Sequence, residues 1–217
     1  LELVGRTDVP VAAGAVRPLV KEYNPPEFSI VHGFDGLGDM ADPLPPPTIT
    51  TCGKSAVQFM ADTLRESDEP ITLVPVGPMT NVATLIMTHP ELMPKIKEVV
   101  IMGGSTMQGN RTVVAEANIA DDPEAAHIVF KSGLKIKMAG LDATHKGYFT
   151  YDEIIELAEK NRIAGVIYKM CDVYIAHCRD RMKLPGLAMH DSLPVAWLIS
   201  SEIVTSEITI SASSEMN

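Results

Sequence analysis

Apolar positions along this chain recur with two different periods, and the alternation between them predicts the fold. Residues 71–76 and 135–139 are short apolar runs bounded by polar residues, and residues 98–102 repeat the pattern. Runs of that length read as buried strands, and residues 9–13 read as a further one. Between the runs the spacing becomes helical. Ala56, Val57, Met60, Ala61 and Leu64 set one apolar stripe on residues 55–64, and the same period predicts helices over 80–87, 124–131, 150–160, 164–182 and 192–199. Thr80 is placed to cap the second of these. Asp122 followed by Pro123 opens the third, because Asp caps and Pro suits the first helical position.

Strands near residues 71, 98 and 135 with helices between them make consecutive βαβ units. The expected fold is α/β: an open, mostly parallel, doubly wound sheet with helices on both faces, Rossmann-like in outline. Residues 17–47 are rich in Pro, Gly and Asp without a sustained period, which predicts a long loop of the kind used for lids and binding segments. The polar stretch 211–217 is expected to fray. No repeat or linker divides residues 1–217, so a single domain is expected.

In such a sheet, ligands bind where strands end at their carboxyl edge. Here the runs at 71–76 and 98–102 break into Gly77-Pro78 and Gly103-Gly104-Ser105, and Asn118, Asp121, Asp122 and Glu124 cluster ahead of the next helix. Asp122 is explained as a cap. Asn118 and Glu124 are not, and amide and carboxylate groups together suit the paired donors and acceptors of a sugar diol.

Composition narrows the class. The net charge is −10, with no basic stripe, which argues against nucleic acid and anionic membranes as partners. No apolar run approaches a membrane span. Three cysteines without paired spacing argue against a disulfide framework or zinc site and point to a reducing cytoplasm.

Several familiar motifs fail. Gly53-Lys54-Ser55 lacks the P-loop glycine, since position 48 is Thr48, so Lys54 reads as a surface residue at a helix start. Gly103-Gly104-Ser105-Thr106-Met107 lacks the closing glycine of a nucleophile elbow. The loop from His32 to Asp39 carries three glycines in neither a dinucleotide nor an EF-hand pattern. It reads either as a surface turn whose aspartates bond their own backbone or as a site for a proton-donating His32. His190-Asp191 before an apolar helix reads most simply as a cap. A His-Asp metal phosphohydrolase is disfavoured because no Asp follows Asp191.

Taken together, residues 73–81, 99–104, Gly109-Asn110, Ala115-Glu116-Ala117-Asn118, residues 122–126, 140–145 and His190-Asp191 resemble the inosine/uridine-preferring nucleoside N-ribohydrolases. The likeness runs from about Val9 to Ile199. It implies calcium-dependent cleavage of the N-glycosidic bond of a small-molecule ribonucleoside, in a homo-oligomer (dimer or tetramer). Asp191 and the main-chain carbonyl of Val76 would be calcium ligands. Asn118, Glu124, Asp191 and Met102 would contact substrate, with Asn118 and Glu124 on the ribose hydroxyls. His190 and His32 would lie beside the base, as leaving-group acids or base contacts.

The family's Asp-rich opening motif is expected to precede Leu1, which leaves the calcium ligand set incomplete and this chain alone feebly active or inactive. Ala117 stands where the family usually has an aromatic residue. Two alternatives follow: a non-catalytic paralogue that binds nucleoside or ribose without cleaving it, and a site completed by a strand from a partner or swapped protomer.

Overall fold

The computed structural model describes residues 1–22, 31–40 and 44–209. In chain order its elements begin with α1 (Ala56–Glu66), β1 (Ile71–Leu73), α2 (Thr80–Thr88), β2 (Ile96–Met102), α3 (Ala117–Asp121), α4 (Pro123–Lys131), β3 (Ile136–Ala139) and α5 (Leu141–Thr144). They continue with β4 (Tyr148–Thr150), α6 (Tyr151–Lys160), α7 (Arg162–Met170), α8 (Asp172–Ala176), β5 (Gly186–Ala188) and α9 (Ser192–Ile199). The described residues gather into two compact units that interleave along the chain. One contains residues 12–22, 53–144 and 190–209, the other residues 1–11, 31–40, 44–52 and 145–189.

The first unit is built on a parallel sheet in the order β1-β2-β3, with Leu73 opposite Val99 and Met102 opposite Ala139. Val99, Val100 and Ile101 of the central strand are each wholly buried, which is why that run is apolar without alternation. Ile96, Val99 and Ile101 pack with Leu73 against Leu64 of α1, Val82 and Leu85 of α2, and Ala125 and Val129 of α4. Strand alternation turns Glu98, Val100 and Met102 to the opposite face, together with Lys137 of β3. There α9 packs on β2 and β3, and Lys137 Nζ lies 5.2 Å from the Trp197 ring centroid. Helices on both faces of a parallel sheet are what the sequence predicts.

The second unit pairs β4 with β5 antiparallel, Tyr148 opposite Ala188 and Thr150 opposite Gly186. Its core gathers Ile154, Ile175, Cys178 and Leu187. The Tyr174 hydroxyl donates to the Ala188 carbonyl and the Tyr151 hydroxyl to that of Leu184, so the helices are tied to the end of β5 and to the chain entering it.

Several expectations need correction. No strand forms over residues 9–13; Ala13 alone bridges to Ser55, and Pro10 lacks the N–H a ladder needs. β1 stops at Leu73 rather than Val76 because Pro75 cannot donate, although its carbonyl still accepts from Met102 N at 3.0 Å. Thr80 is the first residue of α2, not its cap; its hydroxyl donates to Asp122 Oδ2 at 2.6 Å instead.

The helix expected over 164–182 is three pieces. Cys171 N–H splits between the carbonyls of Ile167 and Tyr168, and residues His177–Arg181 shift to a π register. The stretch 211–217 lies outside the described residues, whereas 17–22, 31–40 and 44–47 contain no helix or strand, in keeping with the expected loop. Among the described residues no helix is long and apolar enough to cross a membrane.

Candidate functional site

The carboxyl edge of the parallel sheet is held together by main-chain bonds beyond the ladders. Met102 N reaches the Pro75 carbonyl, and Gly103 N reaches the Ala139 carbonyl at 3.3 Å. Residues 75–76, 102–104 and 139–140 are thereby held side by side. At Gly104 the chain turns with φ of 74°, a conformation that calls for glycine, and a Cβ there would also push on the Met138 thioether at 2.8 Å. The loop leaving it closes on itself: the N–H groups of Asn110, Arg111 and Thr112 all point to the Ala115 carbonyl.

That loop delivers Glu116, which is only 2% exposed. Glu116 Oε1 accepts from Asn118 N at 2.9 Å, and Oε2 accepts from Ile119 N at 3.2 Å and from Gly104 N at 3.0 Å. The carboxylate thus caps α3 and pins its first turn to the end of β2, where the helix dipole favours negative charge. Asn118 sits in consequence beside Met102: its Nδ2 donates to the Met102 carbonyl at 3.0 Å and lies 3.3 Å from Met102 Sδ. A carbonyl only accepts, so this contact fixes the amide orientation and leaves Oδ1 as its acceptor.

Asp122 is fully buried, and its carboxylate accepts from Thr80 Oγ1, Leu19 N and Ala125 N. It caps α4 as expected and also ties α4 to α2 and to the segment at Leu19. Glu124, one residue into α4 past Pro123, differs: its Oε2 is buried and has no hydrogen-bond partner among the described residues. A buried carboxylate oxygen without a donor is costly, which is the condition a ligand hydroxyl would relieve.

His190 reaches the same edge through α5. Leu141 N donates to the Gly104 carbonyl at 2.9 Å, and at the other end of α5 the Thr144 hydroxyl lies 2.7 Å from His190 Nδ1. Asp191 is exposed at the N-cap position of α9, but its side chain makes no cap bond, so capping does not account for its carboxylate. Val76 is 39% exposed just past β1.

Val76, Met102, Asn118, Glu124, His190 and Asp191 all belong to the unit that carries the parallel sheet. His32 belongs to the other unit, on a tight loop. There Asp35 Oδ1 accepts from Leu37 N and Asp39 N, and Asp39 Oδ1 accepts from Phe34 N. Those are the self-bonding aspartates of the expected surface turn.

Among the described residues, no group of three or more His, Cys, Asp or Glu side chains stands together as a metal would require. Calcium takes about 6–8 oxygen ligands. Asp191 and the Val76 carbonyl would supply two of these. Two residues at this edge carry no sequence signal of their role. Glu116 is a poor cap by propensity, and Thr144 is 46 positions from the histidine it touches.

The model of the inosine-uridine preferring nucleoside hydrolase family matches residues 1–217. The chain is 45% identical over 208 residues to the pyrimidine-specific ribonucleoside hydrolase RihA of Escherichia coli (strain K12), covering 95% of this chain and 66% of that protein. It is 44% identical over 207 residues to RihA of Shigella flexneri serotype 5b, covering 94% and 65%. Among solved structures it resembles the purine-preferring ribonucleoside hydrolase from Gardnerella vaginalis, with TM-score 0.85, 33% identity and coverage of 94% of this chain and 66% of that one. A plant nucleoside hydrolase also superposes at TM-score 0.85, with 29% identity and coverage of 93% and 64%. The chain therefore spans just under two thirds of the length of these relatives.

Proposed function

This chain belongs to the inosine-uridine preferring nucleoside hydrolase family, and from that premise we propose that it acts in hydrolysis of the N-glycosidic bond of ribonucleosides, giving ribose and free base. The observation that carries the proposal is the corner made by Met102, Glu116 and Asn118. The buried Glu116 carboxylate holds the Asn118 backbone N–H, the Met102 carbonyl accepts from its side-chain NH2, and its Oδ1 remains to accept from a sugar hydroxyl. Glu124 Oε2, buried without a donor among the described residues, supplies a second acceptor of the kind a diol needs.

Hydrolysis needs a clamped sugar, an attacking water and a departing base, and this edge offers groups for the first and the last. Cleavage passes through an oxocarbenium-like state, so carboxylates near the sugar stabilise developing positive charge. In this proposal Asp191 and Glu124 serve that end, with Met102 against the furanose. The base departs more readily when protonated or hydrogen-bonded, the role proposed for His190. Calcium dependence is proposed on Asp191 and the Val76 carbonyl as two of the donors. The three cysteines are unpaired, with Cys178 buried, which supports a reducing cytoplasm. A dimer or tetramer is the proposed assembly. The 45% identity to a pyrimidine-specific relative favours uridine over inosine.

A second proposal has one observation in its favour: no described cluster of carboxylates and imidazoles could hold a metal. On that basis the chain binds nucleoside or ribose without cleaving it. Incubation with uridine and with inosine, with and without calcium, separates the two when free ribose and nucleoside binding are both measured. Calcium-dependent ribose release, faster from uridine, supports hydrolysis. Binding without release supports the second proposal, and failure to bind either nucleoside overturns both.

A further inference from the structure

Thr144 is wholly buried, yet its hydroxyl has a task that packing does not require. It ends α5, which is fastened to the loop leaving β2 at two points. Leu141 N donates to the Gly104 carbonyl at 2.9 Å, and Thr106 N donates to Asp142 Oδ1 at 3.1 Å. The approach is close enough that a Cβ on Gly140 would stand 3.0 Å from the Gly104 oxygen. The Thr144 hydroxyl cannot drift relative to Gly104, and it lies 2.7 Å from His190 Nδ1.

We infer that Thr144 is a positioning residue: its buried hydroxyl sets the plane of the His190 imidazole by holding Nδ1. A valine would fill nearly the same volume, so what the hydroxyl adds is this bond. Because a hydroxyl both donates and accepts, it can hold Nδ1 in either tautomer of the ring. The same residue, Gly104, that anchors α5 through its carbonyl donates its N–H to Glu116, which holds the Asn118 main chain. The two peptide groups flanking Gly104 therefore link the residue proposed for the sugar to the residue proposed for the base. The geometry stands by itself; its catalytic meaning rests on the function proposed above.

The test compares Thr144→Ser with Thr144→Val and Thr144→Ala, each checked for folding by circular dichroism. It follows the His190 ring nitrogens by NMR in 15N-histidine protein, with His190→Gln to assign the signals. The hydroxyl-less variants are expected to displace the His190 ring signals and to lower kcat on uridine about tenfold, the worth of one well-placed hydrogen bond, with KM changed less than about twofold. Thr144→Ser is expected to keep wild-type ring signals and to lie within about threefold of wild-type kcat. Wild-type ring signals in a folded Thr144→Val protein overturn the inference, as does failure of both hydroxyl-less variants to fold. If the wild type releases no ribose, the functional proposal fails, and the ring signals alone decide the role of Thr144.

Discussion

Glu116 shows how much of this edge depends on one side chain. Three N–H groups converge on its two oxygens, so Glu116→Gln would turn an amide NH2 toward a donor. A loss of about 1–3 kcal/mol in stability is expected, because at least one buried N–H would lose its acceptor. Thermal melts would register it, together with weakened nucleoside binding; an unchanged Tm would mean the carboxylate is dispensable.

Glu98 offers a pH test on the other face of the sheet. Burial works to raise its pKa, but Lys135 Nζ at 3.0 Å and Lys137 Nζ at 3.4 Å outweigh burial and hold it below its ordinary 4.5. A carboxylate with a lowered folded value contributes stability that is complete above 4.5 and lost as pH falls through that lowered value. Glu98→Gln should accordingly lower Tm at pH 7 and make the acid limb of a melt series, from pH 7 to 3, shallower than wild type. Parallel acid limbs would contradict this.

At this scale the sequence made Asp122 legible as a cap, because Asp-Pro before an apolar run has a single local reading. Asn118 stood out for the opposite reason, as a polar group that capping did not require. Glu116 did not stand out, since its partners, Gly104 among them, depend on how the loop folds back.

Among the elements, what could be read locally was read well. α1 begins where Ser55 caps it, with Ser55 Oγ accepting from Gln58 N, and α6 begins at the capping box between Thr150 and Glu153. Thr150→Ala should cost about 1 kcal/mol, the usual worth of an N-cap, read as a lowered urea midpoint at unchanged m-value. No change would place the stability of α6 elsewhere. The errors fell where hydrogen-bond register, not apolar period, decides. Cys171 divides its N–H between two carbonyls, and the turn at His177–Arg181 widens to π, while the apolar spacing over 164–182 runs on without a break. The pairing of β4 with β5 joins three-residue strands across 38 positions from Tyr148 to Gly186, too short and too distant for periodicity to detect.

In the whole molecule, the parallel sheet was legible because βαβ order leaves few topologies. The division of the described residues into two interleaved units was not, because neither has a boundary in composition. Calcium is a test at this scale. With Asp191 and the Val76 carbonyl as two of the roughly 6–8 donors calcium takes, this chain should bind the ion no more tightly than about 1 mM, the weak end of protein calcium sites. Calorimetry giving a micromolar Kd would mean that the ligand assignment is wrong.

The central claim is that the carboxyl edge of the parallel sheet accepts the ribose of a nucleoside. Chemical-shift mapping during titration with uridine tests it most directly. Saturable changes concentrated at the backbone amides of Met102, Gly104, Asn118 and Thr144, and reduced by Asn118→Ala, are predicted. Saturable changes confined to other parts of the chain, or none at millimolar uridine, would contradict it.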